Sequence, residues 1–164
     1  PVGRVLLLSP TVTWNTIAPN FTTGTTWRFM RAVTVVGVRF YSKTGAAKTA
    51  RCKLWKPDGT AAATKEVAVN AEGEYTATFD TPYAILAADL TKAHTVSVYI
   101  TDASGYTSVT QDTERLNEVS NRGAWAGPWI IALQPALYAA GDDRPTATDT
   151  SDYPVEPVIS DDVP

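Results

Sequence analysis

Hydrophobic and polar positions alternate with period two through the middle of the chain. In Val33–Tyr41, Val36, Val38 and Phe40 fall on one face, and Gly37, Arg39 and Tyr41 on the other. In Ala50–Trp55, Cys52 and Leu54 alternate with Arg51, Lys53 and Trp55. In Glu74–Phe79, Tyr75, Ala77 and Phe79 alternate with Glu74, Thr76 and Thr78. One apolar and one polar face at period two predicts half-buried antiparallel strands. Between two such runs stands Lys56-Pro57-Asp58-Gly59. Proline fixes one φ, aspartate bonds the backbone ahead of it and glycine accepts φ > 0, so a tight turn is expected there. A second turn is expected over Asn70–Gly73.

The flanking segments extend the pattern. Val5–Leu8 and Thr11–Ile17 are short β-prone runs in an N-terminal arm, residues 1–22, which either completes its own sheet or reaches a neighbouring subunit. Thr23–Met30 puts Trp27 and Phe29 on one face. Thr81–Ile85 reads as a short strand after a turn, and Ala87–Lys92 as a connector or one helical turn. Thr95–Ile100 turns Val96, Val98 and Ile100 inward, and a turn at Asp102–Gly105 leads to a strand over Tyr106–Thr110. From Gln111 to Pro128 the alternation stops: Thr113–Val119 suits a short helix, and Asn121–Trp129 is a loop rich in Gly and Trp. Trp129–Leu133 resumes an apolar run. Both ends read as extended, the second from Thr146 onward, where acidic residues make a solvated tail. The expectation is an all-β fold, an antiparallel jelly-roll-like β-sandwich with extended N- and C-terminal arms. Its parts are an arm at 1–22, a sandwich domain at 23–160 and an acidic tail at 161–164.

Composition narrows the functional classes. A chain of 164 residues suffices for one domain with a sizeable core. A net charge of −3 argues against general affinity for nucleic acid. Cys52 is the single cysteine, which excludes an internal disulfide and thiolate metal clusters, and its inward position suits a buried free thiol. Val5–Leu8 is too short an apolar run for a membrane span.

The order of motifs resembles a bacterial β-sandwich family catalogued as domain of unknown function 4082. The carrying residues are Val36-Gly37-Val38-Arg39-Phe40-Tyr41, then Cys52-Lys53-Leu54-Trp55 with Asp58-Gly59-Thr60. Tyr75–Phe79 followed by Thr81-Pro82 resembles the family's T-F-x-x-P element. Tyr138, Gly141, Pro145 and Tyr153-Pro154-Val155-Glu156-Pro157-Val158 resemble its closing motif, with Glu156 where the family usually has Asp. The similarity spans roughly Thr23 to Ile159. It implies a jelly-roll-like sandwich, often found beside carbohydrate-active or cell-surface modules, and it carries over no catalytic residues.

The residues themselves offer little chemistry. His94 is the only histidine and has no nucleophile or acid patterned with it, so a structural role is expected. Asp142-Asp143 could ligate Ca²⁺, but turn aspartates more often bond their own backbone. No catalytic residue, cofactor or metal site is therefore assigned. Aromatic side chains are the candidate contacts for a partner or a glycan: Trp14 in the arm, Trp55 on the polar face of its strand, Tyr106 at the start of its strand, and Trp125 and Trp129 in or beside the loop.

The function expected is a non-enzymatic structural protein of a bacteriophage virion, a capsid decoration (cement) protein or other surface protein docked through its arms. Its partner would be the major capsid or another virion protein, with a homo-oligomer such as a trimer, no nucleic acid and no membrane, on the virion surface. The alternative is a carbohydrate-binding module for cell-surface glycans, working outside the cell.

Overall fold

The computed structural model describes residues 14–16, 20–42, 48–100, 108–110, 130–148 and 155–160, and the side chains of all of these except 14–16, 108–110 and 130–136. A six-stranded sheet runs in the order β10 (Ala147–Thr148), β9 (Ile130–Ala140), β2 (Phe21–Phe29), β7 (Ala93–Ile100), β4 (Lys48–Trp55) and β5 (Ala61–Val69). A three-stranded sheet runs β11 (Val155–Ser160), β3 (Thr34–Ser42) and β6 (Gly73–Ala84). A separate pair joins β1 (Trp14–Thr16) to β8 (Ser108–Thr110). Every pairing is antiparallel, and the protein is an all-β sandwich as the alternation predicts.

The core is the facing apolar halves of the alternating runs. β3 contributes Val38 and Phe40, with Val35 in place of the Val36 that the alternation put inward, because the register shifts between Val35 and Gly37; β4 contributes Cys52 and Leu54, and β7 contributes Val96, Val98 and Ile100, all buried. Each such side chain removed from water is worth about 1.5–3 kcal/mol. Trp27 and Phe29 of β2 join them as expected. One polar relay crosses the core: the Trp27 indole N–H donates to Thr25 Oγ1, which donates to the Val155 carbonyl of the opposite sheet. The Lys56–Thr60 turn forms as its residues dictate, with Gly59 at φ 89° and the Asp58 carboxylate accepting from the Thr60 N–H at 2.9 Å.

Three differences from the sequence reading have clear causes. The Asn70–Glu72 turn carries the chain from the larger sheet to the smaller, so β5 and β6 are neighbouring free edges instead of a hairpin in one sheet. β6 is one long strand through Ala84 rather than two, because the Phe79–Pro82 stretch is a bulge within it. The stretch after Pro145, read as an arm, contains β11, which pairs with β3 along its length and buries Val155, Val158 and Ile159. It completes the smaller sheet, within the 23–160 domain bounds. The proposed helix over Thr113–Val119 and the strand over Val5–Leu8 lie outside the described residues.

Candidate functional site

The aromatic side chains singled out by the sequence divide sharply. Trp14 lies in β1, opposite Thr110 of β8. Tyr106, Trp125 and Trp129 lie outside the described residues. Trp55 does occupy the outer face of β4, but it is only 7% exposed. Its indole N–H donates to Ser97 Oγ at 2.8 Å, and the Lys53 ammonium sits 5.1 Å from its ring centroid. It is therefore part of the packing and not an exposed stacking platform.

The cause is a strap, residues 141–146, laid over the outer face of the larger sheet. Gly141 turns the chain at φ 68° and donates its N–H to the Asn20 carbonyl. Asp142 then receives Arg51 Nη1 at 2.6 Å and Lys53 Nζ at 2.9 Å. Burial opposes the charge of Asp142, yet these two cations hold its carboxyl below the usual range. Pro145 seats on Gly24, where an added Cβ would lie 2.8 Å from the proline ring and 2.4 Å from the Val96 carbonyl. Glycine is needed there for the sheet to accept the strap. Polar residues on this face, Thr22, Thr26, Thr95 and Ser97, are consequently buried. Both aspartates weighed as Ca²⁺ ligands, Asp142 and Asp143, have protein partners. Asp142 is engaged by two cations, and Asp143 Oδ1 accepts from the Arg144 N–H. Among the described residues no group of three or more His, Cys, Asp or Glu could hold a metal ion.

His94 is 1% exposed, edge-on to Phe29 at 5.4 Å, with its Nδ1 3.1 Å from the Lys92 carbonyl. A carbonyl only accepts, so Nδ1 carries the proton. Burial depresses its pKa below the ordinary 6.5. Burial likewise pushes the Cys52 thiol far up, which leaves it a buried thiol without nucleophilic character.

The motif residues build the frame. Gly37 is required because a Cβ there would lie 2.4 Å from the Ala77 carbonyl of β6. Arg39 bridges the buried Glu156 at 3.7 Å and Glu74 at 3.6 Å, so the arginine of the first motif meets the acid of the closing one across the β3–β11 pairing. Phe40 stacks on Tyr75 with ring centroids 5.7 Å apart.

The T-F-x-x-P element does something different. Between the pairs Gly37↔Thr78 and Val35↔Tyr83, Phe79–Pro82 stand opposite Val36 alone. On the adjacent edge, Leu54 pairs with Ala63 and Trp55 with Ala61, which leaves Ala62 unopposed. Two bulges on neighbouring free edges thus face each other. Between them lies a groove of about 230 Å³ lined by Ala62, Ala63, Thr64 and Phe79–Tyr83. Lys65 donates to Asp80 across its flank, and Asp80 is 81% exposed. The Tyr83 hydroxyl is buried with no hydrogen-bond partner among the described residues. Bulges at sheet edges re-aim side chains and gather at functional sites, which makes this groove a candidate site. The sequence reading passed over it. Its signals were a proline inside a strand and the unpatterned run Ala61-Ala62-Ala63.

An antiparallel β-sandwich with a bulged flank and these motifs defines the class. The family model described as Domain of unknown function (DUF4082) matches residues 8–155, and the chain belongs to that family. No curated protein and no solved structure matches the chain.

Proposed function

We propose that this protein is a non-enzymatic structural component of a bacteriophage virion, and within that class a capsid decoration protein. The observation that carries this reading is the β1–β8 pair. Trp14–Thr16 joins Ser108–Thr110 instead of either sandwich sheet. A sandwich with a second, small strand pair outside its two sheets gains contact area without enlarging its core, and the outer edges of such a pair can accept a strand of a partner. Repetition over a lattice then multiplies weak contacts into firm attachment. The partner on this reading is the major capsid or another virion protein, and the decorating unit is a homo-oligomer.

The test is co-sedimentation with candidate phage particles of the full chain and of a variant lacking residues 1–19. The deletion spares Asn20, whose carbonyl and side chain hold Gly141 and Tyr99. The expected result is loss of particle binding by a truncated protein that still melts at the parent temperature. A folded truncated protein that binds as well as the parent would overturn the role of this segment.

A further inference from the structure

We propose that the groove between β5 and β6 is a binding site for one neutral saccharide ring. This goes beyond the virion reading and does not depend on it. It also places sugar recognition away from Trp125 and Trp129.

Size comes first. About 230 Å³ is below the roughly 300–1,000 Å³ of sites for drug-sized ligands, so the groove suits a single ring rather than an extended cofactor. The lining comes second. Ala62 and Ala63 leave the space open. Pro82 and Tyr83 offer C–H and ring surface, and Asp80 and Thr81 on one edge and Thr64 on the other offer carboxylate and hydroxyl groups. Apolar faces set beside convergent acceptors and hydroxyls match a pyranose, which has C–H faces and a rim of hydroxyls. The Asp80 carboxylate disfavours an anionic ligand, and its pairing with Lys65 leaves little net charge to attract a cation.

A competing occupant, an added peptide strand, is disfavoured by the edges themselves. Pro82 has no N–H to give, the Phe79–Pro82 bulge breaks the ladder that a strand would extend, and the Lys65–Asp80 pair bridges the two edges. These are the devices that blunt strand addition, and they leave a pocket for a compact ligand.

The test is heteronuclear NMR titration of the full chain with glucose, galactose, N-acetylglucosamine, N-acetylgalactosamine and rhamnose. At least one sugar is expected to bind with a millimolar dissociation constant, shifting the amides of Ala62–Thr64 and Phe79–Tyr83. Asp80→Ala and Thr81→Ala should each weaken it about tenfold, roughly one good hydrogen bond. Both variants should keep the parent melting temperature, because both residues are exposed. No shift with any of the five sugars, shifts elsewhere only, or parent affinity in both variants would overturn the proposal.

Discussion

The outer face of the larger sheet and the β5–β6 flank are both rich in aromatic and polar residues, and they are finished in opposite ways. On the outer face these groups have partners, in the sheet itself or in the 141–146 strap. The Trp55 indole has Ser97, Thr26 has Thr95, Thr22 donates to the Gly141 carbonyl, and Arg51 and Lys53 share Asp142. On the flank nothing among the described residues closes over the two bulges. Tyr83 keeps an unpartnered hydroxyl and Asp80 stays in water. Aromatic residues on a strand's polar face are therefore poor pointers to a binding site in this protein. An interrupted strand at a free sheet edge is a better one, because a bulge re-aims side chains and leaves a groove beside it.

The comparison yields its largest effect at Trp55. Trp55→Ala removes a buried ring and orphans Ser97, so urea unfolding should register a loss of about 3–5 kcal/mol. A loss under about 0.5 kcal/mol, as for ordinary surface substitutions, would return Trp55 to the exposed set. Asp142→Asn comes next. It leaves Arg51 and Lys53 beneath the strap without their shared carboxylate and should cost about 1.5–3 kcal/mol, the range for hydrogen bonds to charged groups.

Acid should separate two contributions. His94 has a folded pKa below its ordinary 6.5, because burial disfavours the imidazolium and Arg144 opposes it further, while the Lys92 carbonyl and Asp89 act the other way. The unfolded chain then binds this proton first. The stability that His94 contributes is complete above 6.5 and falls as the pH drops from 6.5 toward the depressed value. Asp142, also depressed, keeps its contribution above its ordinary 3.8 and loses it as the pH falls below that. Denaturant midpoints followed against pH should therefore decline in two stages, and His94→Asn should remove the upper one.

The smallest effect belongs to the flank. Asp80→Ala should change stability by less than about 0.5 kcal/mol, since an ion pair with an 81% exposed partner is largely screened. A large loss there would mean that the flank is finished packing like the strap.

Much of this fold was legible in the sequence because burial and alternation agree where a strand has one wet face. Val96, Val98, Cys52, Leu54 and Phe40 were all placed inward by period two alone, and all are buried. The turn at Asp58-Gly59 followed from its residues. The failures came from long-range contacts that local pattern does not encode. Nothing near Trp55 announces that Pro145 and Asp142 will return to cover its sheet, and nothing in Val155–Ser160 distinguishes an arm from an edge strand until β3 is seen beside it. The groove was missed for a related reason. It depends on two register shifts in two sheets meeting across a turn, Ala62 on one side and Phe79–Pro82 on the other.

The virion reading is the central claim, and its most direct measurement is the molar mass of the full chain by light scattering, with electron micrographs of the same sample mixed with candidate phage particles. The account predicts a stable homo-oligomer that coats the capsid at regular positions. A monomer that leaves every particle bare would contradict it.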